Sequence, residues 1–102
     1  MHINVTEMAA RFVQQHDEAR GSTPAWAQAL NVVGEAGEMA EAYRRATGHA
    51  RRSSTMDEVA DEMADVVIAT YVFAQRVGVD LDETIAAKYE KIMSRGFDHR
   101  SV

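Results

Sequence analysis

The chain has 102 residues, enough for one core and too few for two, so we predict a single domain over residues 1–102. Its 46% hydrophobic and 26% charged residues, with one proline, describe an ordinary globular protein that leans towards helix. The net charge of −5 argues against general nucleic-acid binding, and the absence of cysteine excludes disulfides, thiolate metal sites and a cysteine nucleophile.

Helix start and stop signals divide the first half of the chain into two predicted α-helices. The first runs over about residues 5–20 and should end at Gly21. The second should have Thr23 as its N-cap and Pro24 at its first helical position, and it should continue for about 24 residues to just before Gly48.

Two further helices are predicted in the second half. The third opens with Thr55 in the capping-box pattern TMDE and closes near Gly78. The fourth opens with Asp80 in the pattern DLDE and closes near Gly96. No segment alternates apolar and polar residues as a half-buried strand would. We therefore predict an all-α subunit resembling a four-helix bundle.

The second half of the third helix is apolar on almost every side. Ile68, Tyr71 and Val72 fall outside its main apolar face when residues are placed about 100° apart. Such a helix is either central in the fold or covered by a second subunit. In a chain this small, the pattern favours a homodimer or homotetramer.

Nothing in the sequence indicates secretion or membrane insertion. The start, MHINVTEMAARF, lacks the basic end and continuous apolar stretch of a signal peptide. The longest apolar run, residues 66–74, is about half the length needed to span a bilayer. We expect a cytoplasmic protein with no membrane partner.

Two acidic pairs carry the strongest functional signal. Glu35 and Glu38 lie three residues apart on the second helix, and Glu62 and Asp65 do so on the third. The stripe of the third helix that holds Glu62 and Asp65 turns apolar one and two turns later, so these two side chains should lie at the mouth of the core. A solvated acidic face is the alternative for any one pair, since 16 acidic residues produce such pairs by chance.

Together, four carboxylates between two antiparallel helices would repel one another unless protons or cations neutralised them. Such hard oxygen ligands suit Mg²⁺, or Mn²⁺. A di-iron site is the competing possibility, but it needs a Glu-x-x-His pair, and none of the four histidines follows a glutamate at that spacing.

These residues also carry a resemblance to a known family. The stretch GEAGEMAEA followed by DEMADVV resembles the signature of the all-α nucleoside triphosphate pyrophosphohydrolases, the MazG-like group, with 23 residues between the two pairs. The likeness extends from about Trp26 through Phe97. It is incomplete, because many members have glutamate where this chain has Gly34, and an asparagine common on the last helix is replaced by Ile92 and Met93.

The resemblance implies Mg²⁺-dependent hydrolysis of (deoxy)nucleoside triphosphates to a monophosphate and pyrophosphate, in nucleotide-pool house-cleaning. Glu35, Glu38, Glu62 and Asp65 would hold the metal, and Glu38 or Glu35 would act as general base. Two alternatives stay open. One is phosphoribosyl-ATP pyrophosphohydrolase of histidine biosynthesis, which shares the fold and the acidic pairs. The other is a non-catalytic helical interaction module.

Several residues are candidates for contact with the substrate. Lys88 and Arg95 on the last helix match the resembled pattern and would face the β- and γ-phosphates, although pairing with the helix dipole is an equal alternative. Asn31 or the neighbouring Gln28 would contact sugar or base, and a hydrogen bond to the backbone is the alternative for either amide. Trp26 would stack on a base, with core packing as the more favoured role.

Three weaker expectations complete the set. Arg51 and Arg52, in the loop GHARRSS, would close over a triphosphate, against the commoner role of solvated arginines. His16 is taken as an edge residue that borders the base pocket at most. Gly34 and Gly37 each cost a helix about 1 kcal/mol. We predict that Gly37 allows another helix to approach closely, and that Gly34 leaves room for metal-bound waters and phosphate.

Overall fold

The computed structural model describes residues 3–48 and 54–96, which form four α-helices. These are α1 (Val5–Arg20), α2 (Ala25–Ala46), α3 (Met56–Val77) and α4 (Leu81–Arg95). No strand occurs in these two ranges, so the all-α prediction is confirmed. None of the helices described there is long and apolar enough to cross a membrane. Arg51 and Arg52 lie outside the described residues.

The caps of α3 and α4 form as their sequence patterns predict. The Thr55 hydroxyl accepts a hydrogen bond from the Glu58 N–H at 3.2 Å, and the Asp80 carboxylate accepts one from the Glu83 N–H at 3.0 Å. Each such cap is worth about 1 kcal/mol. Gly78 ends α3 in the left-handed region with φ 73°, which a side chain would disfavour.

The start of α2 differs from the prediction by one residue. Pro24, not Thr23, is the N-cap residue, and the helix begins at Ala25 without a side-chain cap. Pro24 keeps an extended ψ of 142°, so it stands just outside the helix rather than at its first position. Its carbonyl accepts the first helical hydrogen bonds, from the N–H groups of Ala27 (3.0 Å) and Gln28 (3.2 Å).

The third helix is central, since it packs mainly against α2 and also against α1. The buried apolar side chains are mostly small, and they are Ala9, Ala42, Val59, Ala69, Val72, Ala74 and Ile92. Large apolar groups are instead exposed along α2, where Trp26 is 68%, Leu30 62% and Val33 68% exposed. Most of α4 is exposed too, from Asp82 to Lys91. The chain therefore presents an unusual amount of apolar surface.

Two polar ties hold α1 to the other helices. Arg76 of α3 donates hydrogen bonds to both carboxylate oxygens of Asp17, each at 3.2 Å. These bonds, and then that of His16, lower the pKa of Asp17. Asp82 accepts from the hydroxyls of Thr6 (2.6 Å) and Tyr71 (2.8 Å), which joins the start of α4 to α1 and α3.

The predicted close helix contact at Gly37 does not form within the chain. A Cβ built at Gly37 would have no atom of its surroundings within 4 Å, and the same is true at Gly34. No helix of the described residues fills this space, because α3 packs on another side of α2, and an approach by another molecule stays a prediction. Open space at Gly34 agrees with the role expected for it.

Candidate functional site

Three of the four predicted carboxylates come together between α2 and α3. One oxygen each from Glu35, Glu62 and Asp65 lies within 4.8 Å of the other two. The three-residue step on α3 puts Glu62 and Asp65 on one side of that helix, and the packing of α2 against α3 brings Glu35 opposite them. We call these three residues the acidic cluster.

The fourth carboxylate borders the acidic cluster without joining the close group. Glu38 is exposed, one turn beyond Glu35 on α2. Its negative charge nevertheless raises the pKa of both Glu35 and Glu62, so it lies near enough to act on the same site.

Burial and mutual repulsion make ionisation of the cluster costly. Removal from water is the largest cause that raises the pKa of Glu35, followed by the charges of Glu38, Asp65 and Glu62. Desolvation also comes first for Glu62, whose pKa is raised further by Glu38 and Asp65 and partly lowered by Arg45. The cluster is therefore an electronegative site that a positive charge would relieve.

Two oxygens of the cluster have unmet bonding capacity. Glu35 Oε2 and Glu62 Oε2 are buried, and no group in the described parts of the chain donates a hydrogen bond to them. Buried oxygens without partners are rare in folded proteins because their desolvation goes uncompensated. Two ligands of one Mg²⁺ lie about 3–4 Å apart, so small side-chain rotations would let these carboxylates share an ion. The donor set thus fits a hard divalent cation.

A cavity of about 310 Å³ adjoins the acidic cluster. Glu35 and Asp65 form one part of its wall, and the rest is formed by apolar and amide side chains, namely Phe12, Gln28, Asn31, Ile68, Ala69 and Val72. A charged group bound at the carboxylates could therefore extend into a recess suited to a flat, partly apolar ring.

The amide of Gln28 is held firmly in this wall. Its side chain is 8% exposed, and Nε2 donates a hydrogen bond to the carbonyl oxygen of Ala69 at 3.0 Å. Asn31, one turn further along α2, is exposed at the cavity edge. A contact of Asn31 with sugar or base stays a prediction.

The other predicted substrate residues are not brought to this cavity by the chain itself. Lys88 lines a separate surface recess along α4 with Asp80 and Lys91, and Arg95 is exposed. Within residues 3–48 and 54–96, neither Lys88 nor Arg95 forms an ion pair. Trp26 does not line the cavity, and its exposure shows that the core-packing alternative was wrong.

Sequence reasoning placed His16 of α1 at the edge of the base pocket at most and missed Phe12 as a wall residue. Phe12 lines the wall and stacks on His16, with ring centroids 5.7 Å apart. His16 is half-buried and pairs with Asp17 at 3.1 Å. The aromatic pair at a four-residue step was the available signal, because it marks one face of α1.

The chain is thus an all-helical protein in which carboxylates of two adjacent helices could hold a metal ion. Comparison with family models is more specific. The model of the MazG-like family matches residues 36–101, and the chain belongs to this family. The matched range includes Glu38, Glu62 and Asp65 and begins one residue after Glu35. Family membership suggests activity of the nucleotide pyrophosphohydrolase type.

Neither the curated proteins nor the solved structures contain a match to this chain.

Proposed function

We propose that the chain is a Mg²⁺-dependent pyrophosphohydrolase that converts (deoxy)nucleoside triphosphates to monophosphate and pyrophosphate and so removes unwanted nucleotides. The family supplies the class of activity. The observation that carries the proposal is the acidic cluster, with its two orphaned buried oxygens, at the wall of a cavity.

Each carboxylate has a proposed role. Glu35, Glu62 and Asp65 hold the ion, with Glu38 at its border. When bound, Mg²⁺ neutralises the triphosphate and lowers the pKa of a water. Glu38 lies outside the close group and is exposed, so it is the carboxylate left to accept the proton of the attacking water. Asn31 borders the sugar or base.

The active form is proposed to be a homo-oligomer. Three large apolar side chains of α2 are each at least 62% exposed, namely Trp26, Leu30 and Val33. An apolar face of this kind on a small chain is typical of a surface that a second subunit covers. Arg45 is the chain's own cation near Glu62. A second copy would be a source of further cationic side chains, since Lys88 and Arg95 lie elsewhere.

The test is pyrophosphate release from a panel of ribo- and deoxynucleoside triphosphates plus phosphoribosyl-ATP, with Mg²⁺ or with EDTA. We expect release with Mg²⁺ only, and a loss of at least about a hundredfold in Glu62→Gln. Glu41→Gln is the matched control, because Glu41 lies on α2 one turn beyond Glu38 and pairs with Arg44 at 2.8 Å instead. Its activity should stay within about twofold of that of the parent chain.

The panel also separates the alternatives. Preference for phosphoribosyl-ATP would assign the chain to histidine biosynthesis. If a folded, Mg²⁺-loaded sample releases no pyrophosphate from any member of the panel, the enzyme proposal is wrong and a non-catalytic interaction module takes its place.

A further inference from the structure

The buried glutamine in the cavity wall is not explained by metal binding. Gln28 shares the cavity wall with apolar side chains of α3 and is 8% exposed, where leucine or methionine would pack without polar cost. Its bond to Ala69 satisfies only the amide nitrogen. The carbonyl of Ala69 is already part of a helix, so α3 does not need this bond to be stable.

The orientation of this amide is fixed by chemistry. A backbone carbonyl can only accept a hydrogen bond, so Nε2 of Gln28 must face Ala69 and Oε1 must be turned away from it. No N–H or O–H of the described residues donates to Oε1, and Oε1 is not among the atoms enclosed without a partner. It is therefore an accessible acceptor, held at a fixed angle by a side chain that lines the cavity.

The position of Gln28 in the cavity suggests what it contacts. Glu35 and Asp65 form the acidic part of the same cavity, where the proposed function places the metal and the phosphates. A nucleotide held there would extend its base towards the apolar walls formed by Ile68 and Val72. A fixed acceptor in such a wall favours a base whose facing ring position carries an N–H donor and disfavours one whose facing position carries a carbonyl oxygen.

Building on the proposed function, we infer that Gln28 is a specificity-determining residue whose Oε1 accepts a hydrogen bond from the exocyclic amino group of cytosine or adenine. Uracil, thymine and guanine carry a carbonyl oxygen at the corresponding ring position. That oxygen and Oε1 of Gln28 are both hydrogen-bond acceptors, so they would repel each other instead of forming a bond. The preferred substrates are therefore the cytosine and adenine nucleotides.

Binding of monophosphates tests the inference without requiring turnover. Calorimetry would compare deoxycytidine monophosphate with its pyrimidin-2-one analogue, which lacks only the amino group, and deoxyadenosine monophosphate with the purine analogue. The wild-type chain should bind at least one amino-bearing member about tenfold to a hundredfold more tightly than its analogue. Gln28→Met, of similar size, should bring that ratio close to one.

Gln75→Met is the control, because Gln75 is a half-buried glutamine of α3 that lines a different recess. It should leave the ratio unchanged. A merely structural Gln28 would weaken all ligands equally in Gln28→Met and keep the ratio. That result, or a wild-type chain with no preference for the amino group in either pair, overturns the inference. A wild-type chain without the preference overturns the inference even if Gln28→Met does not fold.

The two proposals fail separately. An amino preference that depends on Gln28, without pyrophosphate release from any triphosphate, refutes the proposed function and supports the inference. If the chain releases pyrophosphate but Gln28→Met keeps the ratio of affinities between the amino-bearing monophosphate and its analogue, only the inference is refuted.

Discussion

Without metal, the Glu35→Gln variant should be more stable than the wild-type chain. With Mg²⁺ bound, it should be less stable than the wild-type chain. Burial and three neighbouring carboxylates raise the pKa of Glu35, so its ionised form is disfavoured in the fold. Wild-type stability should therefore fall as the pH rises from the ordinary value of 4.5 through the raised pKa, and then level off. Glutamine keeps the shape of the side chain and removes the charge.

The distance within the cluster sets the size of the effect. Oxygens of Glu35 and Asp65 lie within 4.8 Å. Unit charges at that separation repel by about 1 kcal/mol in water and about 3–4 kcal/mol at an effective dielectric constant of about 20. Asp65 is exposed, so solvent screening favours the lower end, about 1–2 kcal/mol. For a chain of this length, each kcal/mol corresponds to about 4–8 °C in the melting temperature.

Mg²⁺ should reverse the order. An ion at about 100 times its Kd stabilises the fold by about 2.7 kcal/mol, which exceeds the repulsion removed by the substitution. Glu35→Gln lacks one of the ligands and should gain less. Thermal melts at about pH 8, at fixed protein concentration, with EDTA or Mg²⁺, measure both effects.

Glu41→Gln controls for charge removal on the same helix. Hydrogen bonding to Arg44 lowers the pKa of Glu41, so its loss should not stabilise the metal-free chain. Two results would show that the carboxylates do not form a shared cation site. One is equal melting temperatures of the wild-type chain and Glu35→Gln in EDTA, and the other is an equal rise in melting temperature of both chains with Mg²⁺.

Two further predictions concern stability and assembly. Asp17→Asn should destabilise the chain at neutral pH, because Arg76, 6% exposed, loses its charged partner. Since the pKa of Asp17 is lowered, the difference in urea midpoint between Asp17→Asn and the wild-type chain should be full above pH 3.8 and shrink as the pH falls further. The control Glu18→Gln, at an exposed neighbouring position, should differ little from the wild-type chain at any pH. Leu30→Glu combined with Val33→Glu should reduce the mass measured by light scattering to that of one chain, because both side chains lie on the exposed apolar face of α2; an unchanged mass would place the interface elsewhere.

The helices were predictable because their boundaries depend on local chemistry. A threonine hydroxyl or an aspartate carboxylate at an N-cap needs only the N–H group three residues later as its hydrogen-bond donor. Both Thr55 and Asp80 accept such a bond. The start of α2 was less predictable. Proline has the same φ in a helix and in extended structure, so the sequence leaves the ψ of Pro24 open.

The acidic cluster was only partly predictable. Three-residue spacing places two carboxylates on one side of a helix, and the apolar continuation of the α3 stripe through Ala69 and Val72 shows which side turns inward. Spacing on α2 could not show that Glu35 enters the close group while Glu38 stays at its border. That difference depends on how α2 is rotated against α3, which packing over the whole interface decides. The course of α4, and so the place of Lys88, was beyond local patterns for the same reason.

The two glycines of GEAGEMAEA connect the site to assembly. Both Gly34 and Gly37 lie within α2, and neither has a positive φ or a neighbour within 4 Å of a built Cβ. Neither is therefore required by the backbone or by packing in the described residues, although each costs the helix about 1 kcal/mol. Gly37 continues the exposed face of Trp26, Leu30 and Val33 at steps of four, three and four residues. A missing side chain on such a face lets a second backbone come close, so the compensating contact should be made with another molecule. The close helix contact expected at Gly37 is therefore better placed between copies of the chain, on the side of α2 that faces away from Glu35 and Glu38.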